Sequence, residues 1–129
     1  MIKLIIQEVP IPQARPRVTR YGTFDPHHDK NNWIKFLISQ QYKEEVLTCP
    51  ISVEMLFYLP IPKSTSKKKT ALMLDNDIKH IKKPDLDNLA KKYLDCMNSI
   101  VFKDDSLIYK LTISKRYSQH PKTEISITV

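Results

Sequence analysis

The sequence predicts an α+β fold, in which a small mixed β-sheet packs against two main helices in the order β-α-β-α-β-β. Four segments have the apolar, β-branched or alternating character of strands, and two longer segments carry apolar residues at helical spacing. The chain of 129 residues is long enough to bury one core without disulfides. We therefore expect residues 1–129 to form a single domain.

The first strand is predicted over Met1 to Glu8, where apolar and β-branched residues precede Pro10 and Pro12. An irregular segment follows, and its arginines could present rigid planar groups to phosphates. These candidate nucleic-acid contacts are Arg15, Arg17 and Arg20.

A helix is predicted to begin at Asp29, which can cap it, and to end near Glu45. Its large apolar residues recur at helical spacing. Trp33 and Phe36 are therefore expected to face the core rather than to stack on bases.

The second strand is predicted from Ile51, after which apolar and polar residues alternate until Pro60. The segment from Pro60 to Lys69 is expected to be a basic loop. Its lysines either contact nucleic acid or form an ordinary solvated face. They are Lys67, Lys68 and Lys69.

The second helix has the clearest pattern, because apolar residues from Leu86 to Met97 recur on one side and polar residues occupy the other. Leu107 to Ile113 and Thr123 to Val129 then alternate on either side of a turn, which predicts an antiparallel hairpin. The first strand and this hairpin leave a sheet edge that could pair with a second subunit.

Two carboxylates are expected at the start of this second helix. Pro84 suits a position just before a helix, which places Asp85 at the N-cap and Asp87 in the first turn. Residues two apart within a helix point about 200° away from each other, so both side chains can share an ion only if Asp85 lies outside the helix. A third carboxylate would come from Asp105 if the chain doubles back and places the 102–106 turn beside Asp85.

These carboxylates lie in a basic stretch of a chain whose formal net charge is +7. Oxygen ligands suit Mg²⁺ and lysines suit phosphates. Lys91 is one turn beyond Asp87 and could reach a phosphate bound at the metal. The pattern indicates metal-assisted chemistry on nucleic acid.

The same residues also have a purely structural interpretation. Aspartates stabilise a helix N-terminus without any metal, an Asp87–Lys91 pair is an ordinary surface ion pair, and Asp104 and Asp105 suit a solvated turn. The chain would then be a non-catalytic nucleic-acid-binding protein. With one glycine it has no phosphate-cradling loop, and no apolar stretch approaches a membrane span.

Cys49 and Cys96 lie in apolar surroundings and lack metal-ligand or redox spacing, so we expect buried free thiols in a reducing, cytoplasmic compartment. The histidines show no ligand spacing either, and His27 and His28 are expected to be solvated.

The ordered motifs resemble those of the RusA-type Holliday junction resolvases, the crossover junction endodeoxyribonucleases of bacteria, phages and prophages. The resemblance spans most of the chain. It rests on Val9-Pro10-Ile11-Pro12 leading to Arg15-Pro16-Arg17, on Leu59-Pro60-Ile61-Pro62-Lys63-Ser64, on Lys83-Pro84-Asp85-Leu86-Asp87-Asn88-Leu89 with Lys91, on Asp104-Asp105-Ser106 and on Ser114-Lys115-Arg116-Tyr117.

The resemblance implies a RusA-like fold and a Mg²⁺-dependent endonuclease, with Mn²⁺ able to substitute, in the cytoplasm at the nucleoid. It further implies a homodimer that resolves four-way DNA junctions by paired nicks during recombination and repair. The catalytic residues would be Asp85, Asp87, Asp105 and Lys91, and Asp104 could share or replace the role of Asp105 as a metal ligand.

Flanking DNA backbone would contact the arginines of the irregular segment and the lysines of the basic loop, together with Lys82, Lys83, Lys115 and Arg116. The chain departs from the family pattern at Gln13 and Ala14, where a more basic or glycine-containing segment is expected. A rival interpretation is a metal nuclease acting on flaps or plain duplex, since nothing in the motif reads branch geometry.

Overall fold

The computed structural model describes residues 1–13, 17–19, 22–24 and 28–129, with the main chain alone for 17–19, 22–24 and 28. The elements in chain order are β1 (Ile2–Ile6), β2 (Arg17–Thr19), β3 (Gly22–Phe24), α1 (His28–Gln41), β4 (Ile51–Pro60), α2 (Lys67–Leu74), α3 (Leu86–Met97), a short 3₁₀ helix (Asp105–Leu107), β5 (Ile108–Ser118) and β6 (Lys122–Thr128).

The predicted α+β class is confirmed by a four-stranded mixed sheet with the strand order β1-β6-β4-β5. Strand β4 pairs in parallel with β5 and antiparallel with β6, which in turn pairs antiparallel with β1. The predicted hairpin of the last two strands is wrong, because β4 lies between them. Alternate residues along β4 are almost fully buried, and a strand this apolar gains most from a neighbour on each side.

The core lies between the sheet and the two helices α1 and α3. Inward-facing residues of the strands meet the apolar side of α3, where the rings of Phe57 and Tyr93 lie 5.6 Å apart. The largest fully buried residues in this core include Leu4, Ile6, Ile38, Ile51, Met55, Leu89, Met97 and Ile125. Both cysteines are free thiols, as predicted. Cys96 is buried, as expected, whereas Cys49 is only half-buried.

Helix α1 is shorter than expected and is rotated relative to the prediction. It ends at Gln41, and the buried Tyr42 and the charged residues 43–45 follow outside the helix. Its buried residues are Ile34 and Ile38. The prediction that Trp33 and Phe36 face the core is wrong, since each is 50% exposed and their rings stack on each other at 5.6 Å.

The predicted basic loop is in part a helix. Ser66 is the N-cap of α2, and its side chain accepts a hydrogen bond from the Lys69 main-chain N–H at 3.3 Å. The sequence that follows, 70–74, is rich in good helix formers. The three consecutive lysines therefore lie exposed on the first turn of α2.

Among the helices of the described ranges, none combines the length and the apolar character that a membrane span needs.

The segment after β1 is fastened to α3 near the start of that helix. The Ile11 main-chain N–H donates to the hydroxyl of buried Tyr93 at 3.2 Å, and the Gln13 N–H donates to the Asn88 carbonyl at 3.0 Å. Residues 9–13 are thereby held beside Asp85. Burial also raises the pKa of the Tyr93 hydroxyl.

We expect Tyr93→Phe to lower the free energy of unfolding by about 1–2 kcal/mol, because the Ile11 N–H loses its acceptor. The raised pKa also means that wild-type stability decreases as the pH rises above about 10, where the unfolded tyrosine ionises, and the variant should lose that part of the decrease. Urea unfolding at pH about 8 and about 10.5 measures both effects. Tyr58→Phe, which keeps the ring beside Lys122, is the control and should change neither.

Candidate active site

Two exposed carboxylates lie at the N-terminus of α3, as predicted. Asp85 is the N-cap residue with an extended main chain, φ −69° and ψ 145°, and Asp87 lies in the first turn. The Asp85 side chain makes no capping hydrogen bond. The carboxylate is therefore not used for capping, and it stays accessible to a ligand.

A lysine neutralises part of this charge. Lys83 Nζ lies 3.2 Å from Asp85 Oδ2, with the two side chains 86% and 49% exposed. A pair this exposed contributes little to stability, so a cation can displace Lys83 at small cost.

Lys115 holds the main chain that leads into Asp85. Its Nζ donates to the carbonyls of Lys82 at 2.7 Å and Pro84 at 2.9 Å, from a half-buried position on β5 opposite Phe57 of the central strand. Desolvation lowers the pKa of Lys115, an effect partly opposed by the nearby Asp85 carboxylate. The candidate site is thus anchored to the rigid sheet.

Arg116, the next residue of β5, also donates to a main-chain carbonyl. Its Nη2 donates a hydrogen bond of 2.8 Å to the carbonyl of Leu74, the last residue of α2. Sequence reasoning assigned Lys115 and Arg116 to DNA contact, whereas the structure commits donors of both side chains to main-chain carbonyls within the chain. Direct contact of either residue with DNA stays a prediction.

We expect Lys115→Met to reduce DNA cleavage by about 10–100-fold, because Asp85 would lose the anchor that fixes its position. Single-turnover cleavage of a labelled junction measures the effect, and junction affinity measured alongside it should change much less. Lys35→Met, at an exposed position of α1 outside the site, is the control. Equal cleavage rates for the two variants would show that Lys115 does not position the site.

Lys91 is exposed on α3 but does not pair with Asp87. Its Nζ lies 3.5 Å from Asp95 Oδ2, one turn further along the helix. This is a weak surface pair, so the ammonium can move to another anion. The catalytic function predicted for Lys91 stays a prediction.

The two later aspartates differ in what they bind. Asp104 caps the short 3₁₀ helix by accepting a hydrogen bond from the Ser106 main-chain N–H at 3.1 Å, and hydrogen bonding to Ser106 lowers the pKa of the Asp104 carboxyl. In the part of the chain that the structure describes, the side chains of Asp105 and Asp87 make no hydrogen bond and no ion pair. Of the adjacent pair, Asp105 is the better candidate ligand.

Asp105 lies far from the other two predicted ligands within one chain. It precedes the start of β5, where Ile108 pairs with Ile51, whereas Asp85 is held by Lys115 towards the other end of that strand. Helix α3 separates the two positions, and its 12 residues span about 18 Å.

The expected placement of the 102–106 turn beside Asp85 is therefore not found, because α3 runs antiparallel to β5 and the chain returns at the far end. Across the ranges 1–13 and 29–129, for which side chains are described, no three His, Cys, Asp or Glu residues are arranged to hold a metal ion.

Three adjoining clefts connect α2 to Asp85. The largest, about 660 Å³, lies between α2 and residues 78–82, and Lys69, Lys79 and Lys82 line it. A middle cleft of about 230 Å³ shares Lys82 with it, and a third of about 370 Å³ includes Lys83 and Asp85. The clefts form a basic path that ends at the candidate site.

Some of the residues predicted to contact nucleic acid lie along or beside this path. Lys67 and Lys68 are exposed on the first turn of α2, and Lys82 and Lys83 line the clefts. Arg15 and Arg20 lie outside the described residues, and for Arg17, in β2, only the main chain is described.

Sequence reasoning missed three residues around the site. Lys79 was not distinguished from other surface lysines, and His80 is buried although nothing in its neighbours indicates this. Lys92, expected on the polar side of α3, is fully buried, and its Nζ donates a hydrogen bond to Asn31 Oδ1. Its neighbour Lys91 is exposed, and the sequence carries no signal that separates the two.

The chain matches known proteins along nearly its whole length. Residues 8–128 match the family model described as Endodeoxyribonuclease RusA. The chain is also similar to the uncharacterized protein YqaN of Bacillus subtilis (strain 168), with 35% identity over 134 residues that cover 98% of this chain and 94% of that protein. The resemblance found in the motifs is confirmed, and it indicates an endodeoxyribonuclease, a hydrolase acting on DNA. The chain belongs to the RusA endodeoxyribonuclease family.

Proposed function

We propose that this protein is a Mg²⁺-dependent endodeoxyribonuclease that resolves four-way DNA junctions by paired symmetric nicks during recombination and repair. One observation carries the proposal: Asp85 occupies an N-cap position without capping, and its carboxylate lines the cleft in which the basic path ends. Family membership supports hydrolysis of DNA. The metal ion and the branched substrate go beyond what family membership supports.

The donor set suits the metal. Asp85 and Asp87 offer exposed carboxylate oxygens at the start of a rigid helix, which are the ligands that Mg²⁺ prefers, and Mn²⁺ accepts the same donors. When bound, the ion would activate the attacking water and stabilise the leaving 3′-oxygen, which yields 5′-phosphate and 3′-hydroxyl ends.

The chain's own side chains then bind and orient the DNA strand. Lys83, once displaced from Asp85, becomes free to contact the scissile phosphate or its neighbour. Lys91 lies one turn beyond Asp87 and can offset negative charge on the non-bridging oxygens. Lys115 keeps Asp85 in place throughout by its two main-chain hydrogen bonds.

We further propose that each complete site takes Asp105 from the partner subunit, because helix α3 separates Asp85 from Asp105 within one chain. An isologous dimer would then contain two such sites, as two nicks in a two-fold symmetric junction require. The exposed edge strand β5 offers a surface for this contact, since Tyr109 and Leu111 are 71% and 40% exposed close to Asp105 along the chain.

Three lysines of α2 should supply part of the DNA affinity. We expect replacement of Lys67, Lys68 and Lys69 by Gln to weaken junction binding and to reduce the slope of log affinity against log salt by about 0.9 for each phosphate that the variant no longer neutralises. Titrations at several salt concentrations measure the slope. Lys43→Gln, at an exposed position outside the three clefts, should leave it unchanged, and an unchanged slope in the triple variant would remove α2 from the DNA path.

Substrate choice decides between the proposal and its rivals. An immobile four-way junction, a flap and a linear duplex of the same sequence are incubated with the protein in Mg²⁺ at one salt concentration. The proposal predicts that the junction is cut far faster than the flap or the duplex. Preferential cutting of the flap or the duplex would establish a different nuclease, and binding without any cutting would establish the non-catalytic alternative.

A further inference from the structure

The middle of the three clefts is a small cavity directly beside the Asp85 loop. Its volume is about 230 Å³. Its walls combine proline rings with an imidazole, a phenol and two lysine side chains. The residues that matter here are Pro10, Pro60, Pro62, Pro84, His80 and Tyr117.

His80 is the unusual member of this wall. It is only 8% exposed, and its ring packs against Tyr117 with centroids 4.7 Å apart and the planes tilted by 50°. Its Nδ1 is buried and has no hydrogen-bond partner in the described part of the chain. A buried polar atom without a partner destabilises a fold, so a histidine at this position calls for a functional explanation.

The ring is also suited to selective hydrogen bonding. Desolvation, with a smaller contribution from Lys115, lowers the pKa of His80, so that the imidazole is neutral near pH 7. A neutral imidazole donates from one nitrogen and accepts at the other. The nitrogen that meets a ligand therefore either donates or accepts, and it distinguishes ligand atoms that accept from ligand atoms that donate.

The surroundings restrict what can enter. Flat apolar walls favour a flat ring, an imidazole edge favours a ligand with its own donors and acceptors, and Lys82 and Lys83 favour a ligand attached to phosphates. Pro84, which forms part of the wall, is bonded to Asp85, so the ligand enters next to the carboxylates. A nucleobase of the cut strand meets all of these conditions.

We propose that this cavity receives the nucleobase adjacent to the scissile phosphate, unstacked from the junction, and that His80 reads its hydrogen-bonding edge. The inference rests on the proposed function, since it requires DNA to be cut at Asp85. It has one direct consequence: cleavage depends on the identity of a base that flanks the cut.

The protein test compares two histidines. His80→Leu removes the hydrogen-bonding edge and also the unpaired buried nitrogen, so the variant should fold, whereas His120→Leu makes the same change at an exposed turn. Junctions carrying each of the four bases at each flanking position are cut in Mg²⁺. Wild type and His120→Leu should show rates that span about tenfold at one position, and His80→Leu should compress the range to about twofold. Full discrimination by His80→Leu would overturn the proposal.

A second test needs no protein variant in the cavity. An abasic residue at the flanking position should slow wild-type cleavage, and 2-aminopurine placed there should change fluorescence when Asp85→Asn binds the junction, because the base leaves the stack. Unchanged fluorescence at both flanking positions would overturn the proposal. If no junction is cut in Mg²⁺ the proposed function fails, and the fluorescence measurement still decides whether a base enters the cavity.

Discussion

Asp85→Asn should reduce junction cleavage by more than about 100-fold and leave junction binding intact. The substitution keeps the size and the N-cap position of the side chain but removes the charge that attracts a divalent cation. Because the carboxylate makes no capping hydrogen bond, its loss should not destabilise α3. Removing negative charge from a basic cleft should leave affinity for the DNA polyanion equal or slightly higher.

The measurement is a single-turnover cleavage rate in Mg²⁺ together with a binding titration in its absence. Asp77→Asn is the matched control, because Asp77 is another exposed aspartate, in the connection that precedes α3. It should cut at the wild-type rate. If Asp85→Asn cuts as fast as Asp77→Asn, the aspartates at the start of α3 are not the metal site.

Mixing two inactive variants should restore cleavage. Asp85→Asn and Asp105→Asn should each be inactive alone, yet a mixed dimer keeps one intact site, formed by Asp85 of one subunit and Asp105 of the other. Random association makes about half of the dimers mixed, each with one of two sites intact, so about a quarter of the wild-type number of sites should return. These mixed dimers should nick one strand instead of resolving the junction.

The experiment needs subunit exchange before the DNA is added, and labelled strands to count the nicks. Mixing Asp85→Asn with Asp87→Asn is the control. Asp85 and Asp87 come from the same subunit in each site, so every site of the mixed dimer still lacks one of these two aspartates. Restoration only in the first mixture supports a shared site. No restoration despite proven exchange would show that Asp105 does not complete the partner's site.

Local features of this fold could be predicted because short-range sequence patterns determine them. Alternating residues placed β4, helical spacing placed α3, and Pro84 indicated that Asp85 lies just outside that helix. Each of these depends on residues within one turn or one strand. The basic α2 was missed because its lysines resemble a loop, although Ser66 and the residues after Lys69 carry a helix signal.

Features that depend on strand order could not be predicted from such short-range patterns. The last two strands alternate as a hairpin does, and only the insertion of β4 between them, which buries its apolar residues, changes their partners. The same order sends Asp105 to the far end of α3 and brings Lys115 beneath the Asp85 loop. The buried face of α1 likewise depends on where the sheet lies, which is why Ile34 is buried and Trp33 is half-exposed.

Paired cutting of branched DNA depends, in the proposed mechanism, on a divalent cation held at the start of α3. The decisive experiment labels each strand of one immobile junction in turn and maps the nicks with Mg²⁺ and with EDTA. Two symmetric nicks in strands of like polarity are expected with Mg²⁺, each leaving a 5′-phosphate, and none with EDTA. A junction that stays intact in Mg²⁺ while the protein is bound to it would show that the proposed mechanism is wrong.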